Sequence, residues 1–105
     1  MLFRSISLYA EGATVWHNFD DVDQTPVQNS KTLVAMHRLL PGFRYEEIRR
    51  TILDDGFWQQ HVLRGTGAGG DLSMPAALRV YVSDGKMTRL EEYLDTAAFT
   101  AAIGR

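Results

Sequence analysis

The chain has 105 residues, 45% of them hydrophobic and 23% charged, enough for one domain with a modest core and too apolar for disorder. Its formal net charge is −2, from 11 basic and 13 acidic side chains, so it lacks the basic stripe of a nucleic-acid binder. The absence of cysteine excludes a disulfide scaffold, a thiolate nucleophile and a Cys-based zinc or iron–sulfur site.

No apolar run approaches the ~18 residues of a membrane span. The opening stretch Met1–Tyr9 is short and interrupted by Arg4, unlike a signal peptide. A single cytoplasmic domain over residues 1–105, without repeats or linkers, is expected. In chain order, residues 1–10 read as two or three helical turns with Leu2, Phe3, Ile6 and Tyr9 near one face, ended by Gly12. Ala13–Phe19 is β-branched and aromatic and reads as a short strand, followed by a polar connection over residues 20–24. Thr25-Pro26-Val27-Gln28 then joins a capping Thr, a Pro at the first helical position and a Gln three residues after the cap. It predicts a helix over 26–40, stopped by Pro41-Gly42.

The remainder reads as hairpin-linked strands. Phe43–Leu53, Phe57–Arg64, Leu72–Val82 and Met87–Leu94 are the predicted strands, with turns at Asp54-Asp55-Gly56 and Ser83–Lys86. Gly65–Gly70 is expected to be a flexible hairpin end. Its glycines lack the downstream Lys and the strand–loop–helix context of a phosphate loop. Thr96–Ile103 closes the chain as a short Ala-rich helix. This order predicts the α+β class, an antiparallel sheet with helices on one face; a dimeric ferredoxin-like barrel would need a long helix between Gly56 and Leu94, where nothing reads as helical.

Strand alternation places Phe57, Gln59, His61 and Leu63 on one face of their strand, and Leu90 and Glu92 on one face of the last. A sheet face under a helix should be dry, and an unpaired polar group there costs a few kcal/mol. Gln59, His61 and Glu92 must therefore bond to one another or to a ligand. His17 and Asn18, at the end of the first strand, are further polar candidates. Trp16, Phe57, Leu63 and Leu90 are candidate apolar walls. Trp58, Val62, Arg64 and Tyr81 fall on the outer face, a candidate interface. A metal triad of two histidines with Glu92 or Asp20 has no supporting spacing, and no metal or cofactor is expected.

Leu8-Tyr9-Ala10-Glu11-Gly12-Ala13-Thr14-Val15-Trp16-His17-Asn18 resembles the helix-end-to-first-strand signature of the nuclear transport factor 2-like superfamily. Asp84-Gly85-Lys86-Met87-Thr88-Arg89-Leu90-Glu91-Glu92-Tyr93-Leu94-Asp95 resembles its closing hairpin strand. SnoaL-like polyketide cyclases, ketosteroid isomerases and limonene epoxide hydrolases share that scaffold. The resemblance implies a strongly curved sheet forming a conical cavity closed by helices (a cystatin-like α+β roll), here with a shortened N-terminal helix, and a homodimer through the outer sheet face. By spacing, the epoxide hydrolases' Arg and Asp on the middle strand fall on Gln59 and His61, so their Asp-Arg-Asp device is broken; the Gln-x-His pair resembles SnoaL-like cyclases instead.

The expected function is cofactor-independent acid–base chemistry, an isomerisation, cyclisation or hydration, on an apolar carbonyl or polycyclic molecule. His61 is the expected general base or acid, since imidazole exchanges protons readily near neutral pH. Glu92 would orient it, His17 would be a second acid–base group, and Gln59 and Asn18 would donate to a substrate oxygen. A non-catalytic hydrophobic-ligand-binding module and a dimerisation domain are the alternatives.

Overall fold

The computed structural model describes residues 7–104. Its strands are β1 (Tyr9–His17), β2 (Val22–Gln24), β3 (Arg44–Leu53), β4 (Gly56–Gly67), β5 (Gly70–Ser83) and β6 (Lys86–Tyr93); its helices are α1 (Pro26–Leu39) and α2 (Thr96–Ile103). They form one curved, unclosed six-stranded sheet in the order β2-β1-β6-β5-β4-β3, with two helices. The α+β class and the curved sheet are as expected. The sheet is mixed rather than antiparallel throughout, because β1 runs parallel to β6.

Helix α1 starts where its cap dictates. The Thr25 hydroxyl accepts from the Gln28 N–H at 3.1 Å while Gln28 Oε1 accepts from the Thr25 N–H at 2.9 Å, satisfying two otherwise orphaned donors. Asp95 caps α2, its carboxylate accepting from the N–H groups of Ala97 and Ala98. Met36 and Leu40 at the C-terminal end of α1 and Ala102 on α2 pack with Phe43, Leu63, Leu72, Met74 and Leu94 into the main core. This core fills one end of the concave face, leaving the N-terminal half of α1 over the other end.

Three expectations are corrected. Tyr9–Glu11 belong to β1 rather than to a helix, and Gly12 lies inside the strand at φ +75° where the β1–β6 register shifts. The helical assignment of Leu2, Phe3 and Ile6 lies outside the described residues. Val22–Gln24, read as a connection, pairs with the end of β1. The Gly65–Gly70 segment is not a flexible loop: β4 and β5 pair as far as Gly67 and Gly70, joined by Ala68-Gly69 alone. The Gly69 N–H donates to Ala102 O at 2.9 Å. A Cβ would stand 2.2 Å from Ala102 O at Gly67 and 1.9 Å from Ala101 O at Gly69, so these glycines let the hairpin tip seat against α2.

Candidate active site

Paired residues on neighbouring strands project to the same face, so register sorts the side chains. His17, Glu92, Leu78, Gln59 and Arg50 form one cross-strand row, and Val15, Leu90, Val80, Phe57 and Ile52 form the parallel row beside it. Both rows lie on the inner face of the sheet, running from beneath α1 at β1 to exposed Arg50 and Ile52 at the β3 edge. The intervening row, Trp16, Glu91, Arg79, Trp58 and Thr51, faces outward.

Glu92 is the centre of the polar cluster. It is 5% exposed, with His17 at 4% and His61 at 3%. Its Oε1 lies 3.6 Å from His17 Nε2, its Oε2 lies 3.4 Å from His61 Nε2, and the Tyr45 hydroxyl donates to Oε2 at 3.3 Å. The Tyr45 and His61 rings stack at 4.3 Å, and His17 stacks on Phe19 at 4.9 Å. Three strands thus converge on a single carboxylate.

The polarity of the contacts behind His61 follows from donor chemistry. Arg50 Nε, which can only donate, bonds Gln59 Oε1 at 2.8 Å, so that atom is the amide carbonyl. The Gln59 NH2 group must then face His61 Nδ1, 3.1 Å away, which makes Nδ1 the acceptor and puts the proton of the neutral ring on Nε2. That N–H faces the Glu92 carboxylate at a separation longer than a good hydrogen bond. A protonated Nε2 is not a metal ligand, and among the described residues no group of three or more His, Cys, Asp or Glu is arranged to hold a metal ion.

Burial is the largest single influence on Glu92 and by itself would raise its pKa. Proton donation from His17 and His61, with their positive charge once they are protonated, outweighs it, so the carboxyl sits below its ordinary value. The Tyr45 phenol is held well above its ordinary value, first by burial and then by the negative Glu92 and the bond to it, so it stays a donor. Tyr9 is raised in the same direction by burial and then by Glu92.

A cavity of about 580 Å³ opens above this carboxylate, within the usual range of roughly 300–1,000 Å³ for small-molecule sites. Tyr9, His17, Tyr45 and Glu92 bring polar groups from the sheet, Arg44, Ser30 and His37 add others at its margin, Leu78, Leu90 and Met87 form its apolar wall, and Asn29 and Leu33 of α1 its roof. Asn29 is buried, and its Oδ1 has no hydrogen-bond partner among the described residues.

Of the sequence-predicted residues, His61, Glu92, His17 and Gln59 come together, and Leu90 lines the cavity. Phe57 lies in the inward row but beyond Val80 from Leu90 and does not line the cavity, and Leu63 is fully buried in the main core rather than on the cavity wall. Trp16 is not a wall. It precedes inward-facing His17, so alternation turns it outward, where its indole donates to Asp21 Oδ1 at 2.7 Å and its ring packs edge-on against Tyr93. Asn18 is not free for substrate, because its amide donates to Leu94 O at 3.1 Å and accepts from Leu94 N at 3.0 Å, tying the end of β1 to the end of β6. The Gln59 amide is likewise committed at both ends, to Arg50 and His61.

Tyr45 and Arg50 escaped the sequence reading because β3 carries a bulge. They are five residues apart, an odd spacing that regular alternation sends to opposite faces. Glu47 at φ +54°, within the register shift between Glu46 and Arg49, restores both to the inner face. The stretch from Glu46 to Arg50, charged at all positions but Ile48, is the trace of it in the sequence.

A carboxyl whose folded-state pKa lies below its unfolded value stabilises the fold above the ordinary carboxylate range, and that contribution is lost as pH falls through the folded value. Glu92→Gln should therefore be less stable than the parent at pH 7, by about 1–3 kcal/mol, with the gap narrowing below pH ~4. Denaturant unfolding of both proteins from pH 7 to 3 checks this; a gap that widens steadily to the acid limit contradicts it.

No protein-family profile and no curated protein matches the chain. Solved structures do. A hypothetical protein with a ketosteroid isomerase-like fold from Catenulispora acidiphila, in complex with trimethylamine, superposes with a TM-score of 0.81 at 16% identity, over 94% of this chain and 78% of that one. A candidate SnoaL-like polyketide cyclase from a Jannaschia species superposes at 0.83 with 14% identity, over 99% and 79%. TerC, co-crystallised with polyporic acid, superposes at 0.83 with 18% identity, over 99% and 86%. The chain has the ketosteroid isomerase-like fold that its terminal segments resemble.

Proposed function

We propose that this protein is a small-molecule enzyme of the SnoaL-like kind, performing cofactor-independent acid–base chemistry on an apolar carbonyl or polycyclic substrate. The observation that carries the reading is the buried Glu92, held below its ordinary pKa and contacted by His17, His61 and Tyr45 on the floor of a largely apolar cavity. A carboxylate in such surroundings acts strongly on its neighbours, since the low dielectric enhances its field.

The division of labour follows from which groups reach the cavity. His17 lines it, and its Nε2 faces Glu92, which favours the tautomer protonated there and leaves Nδ1 as the accepting lone pair. His17 is then the group that removes or returns a substrate proton, while Glu92 orients it and stabilises the imidazolium that forms. His61 lies behind Glu92 with its side chain fully buried, so it acts by holding the carboxylate rather than by meeting substrate. Tyr9, a phenol kept protonated at the cavity wall, is the donor to a carbonyl oxygen.

The test is hydrogen–deuterium exchange at the acidic α-carbon of 2-tetralone, an apolar bicyclic ketone, followed by NMR in D₂O. Exchange above the buffer rate is expected, falling by ~10²–10⁴-fold in His17→Ala and in Glu92→Gln, the usual worth of a positioned base. Equal exchange with and without protein overturns catalysis on this substrate class. If naphthol or tetralone nonetheless shifts the cavity resonances, the ligand-binding reading takes its place. That second reading is favoured by one observation: Glu92 already has three donor groups of the chain itself, on His17, His61 and Tyr45, turned toward it.

We infer a homodimer through the outer sheet face. Trp58 and Tyr93 are 38% and 41% exposed there, adjoining Trp16 to make an aromatic strip, and Ile48 on the β3 bulge adds to it. Aromatic residues are enriched at interfaces of this kind. Light scattering at micromolar concentration should give twice the chain mass, reduced to a monomer by Trp58→Glu; a monomeric parent contradicts it.

A further inference from the structure

The acid–base reading accounts for the inner end of the polar row but not for its outer end, where Arg50 lies. Arg50 is exposed, makes no ion pair among the described residues, and sits over the Phe57 ring at 5.9 Å. Its one directed hydrogen bond runs inward, from Nε to the Gln59 carbonyl. A guanidinium has no acceptor, so this bond has only one polarity.

We propose that Arg50 is a positioning residue that, together with Glu92 on the other side of the ring, holds His61 in a single tautomer, and through it the orientation of Glu92. The proposal rests on the acid–base reading for its functional meaning, but the tautomer is a property of the unliganded protein. Each link forces the next. Arg50 fixes the Gln59 amide with its carbonyl outward, the NH2 group donates to His61 Nδ1, and the ring proton is left on Nε2, facing Glu92 Oε2. Without Arg50 the Gln59 amide can turn over, since its nitrogen and oxygen ends are nearly isosteric. Its carbonyl would then accept from an Nδ1–H, and His61 would present a bare Nε2 lone pair to an ionised carboxylate. That arrangement is repulsive, and Glu92 would lose one of the donors that hold it beneath the cavity.

The sequence of β3 supports a dedicated role. The bulge at Glu47 re-aims Arg50 onto the inward row, opposite Gln59. An unbulged strand would turn Arg50 outward and leave the Gln59 amide free to take either orientation.

The experiment is long-range ¹H–¹⁵N NMR of the histidine side chains in the full chain, without ligand, with His37 as an internal control. In the parent, His61 should show an acceptor-type Nδ1 and a protonated Nε2. Arg50→Met should convert it to a mixture of tautomers, leaving His37 and the thermal transition nearly unchanged, and Arg50→Lys should restore the parent pattern. Gln59→Glu should reverse the polarity, because a carboxylate there can only accept, and should place a proton on Nδ1. In the tetralone assay, Arg50→Met should slow exchange by ~10-fold, as a positioning rather than a proton-transferring group. A parent His61 protonated on Nδ1, or an Arg50→Met spectrum identical to the parent, overturns the proposal. If exchange is absent in the parent, the enzyme reading fails while the tautomer result still decides the relay. If exchange persists and Arg50→Met leaves both tautomer and rate unchanged, the relay alone fails.

Discussion

A carboxylate removed from water is unfavourable unless donors replace its hydration, and at Glu92 those donors come from elements far apart in sequence. His17 arrives on β1, Tyr45 on β3 and His61 on β4, while Glu92 itself lies on β6. The cluster therefore works as a register constraint. Sliding β1 by one residue along β6 would replace His17 with Trp16 or Asn18 and leave one side of the carboxylate without its partner. The Asn18 amide, bonded both ways to the Leu94 backbone, pins the same register one step further along.

The two ends of the concave face divide the work. At one end Met36, Leu40, Phe43, Leu63, Leu72, Met74, Leu94 and Ala102 close a dry core, sealed by the glycine hairpin tip against α2. At the other the N-terminal half of α1 stands off from the sheet, and the space beneath it is the cavity. Core packing fixes the angle of α1, and the capping box fixes where it begins. Together they hold Asn29 and Leu33 over the carboxylate as a roof.

Much of this was legible in the chain. The Thr25–Gln28 cap, the Asp54-Asp55-Gly56 turn and the alternation of Phe57–Leu63 each carry a local physical signal, and the elements they predict are present. The same alternation gathered Gln59, His61 and Glu92 onto inward faces and raised the question of what they bond. It also held the answer for Trp16, since neighbours on a strand cannot both face inward, and His17 has the inward position. Other features carry no local signal. The parallel pairing of β1 with β6 joins residues 75 or more positions apart. The Glu47 bulge inverts the parity of half a strand through one backbone angle, which hid both Tyr45 and Arg50. The glycines of residues 65–70 suggest mobility by composition, whereas their function is close approach, visible only once α2 is in place.

The whole arrangement requires Glu92 to be ionised in its buried site, with His17, His61 and Tyr45 compensating it. The most direct measurement is a pH titration of the Glu92 side-chain carboxyl carbon by ¹³C NMR in the intact protein. The resonance is expected to stay at its ionised position through the range where exposed glutamates protonate, and to move only at lower pH. A resonance that titrates at or above the ordinary glutamate range would show instead that burial outweighs the donors and that the carboxylate is not compensated.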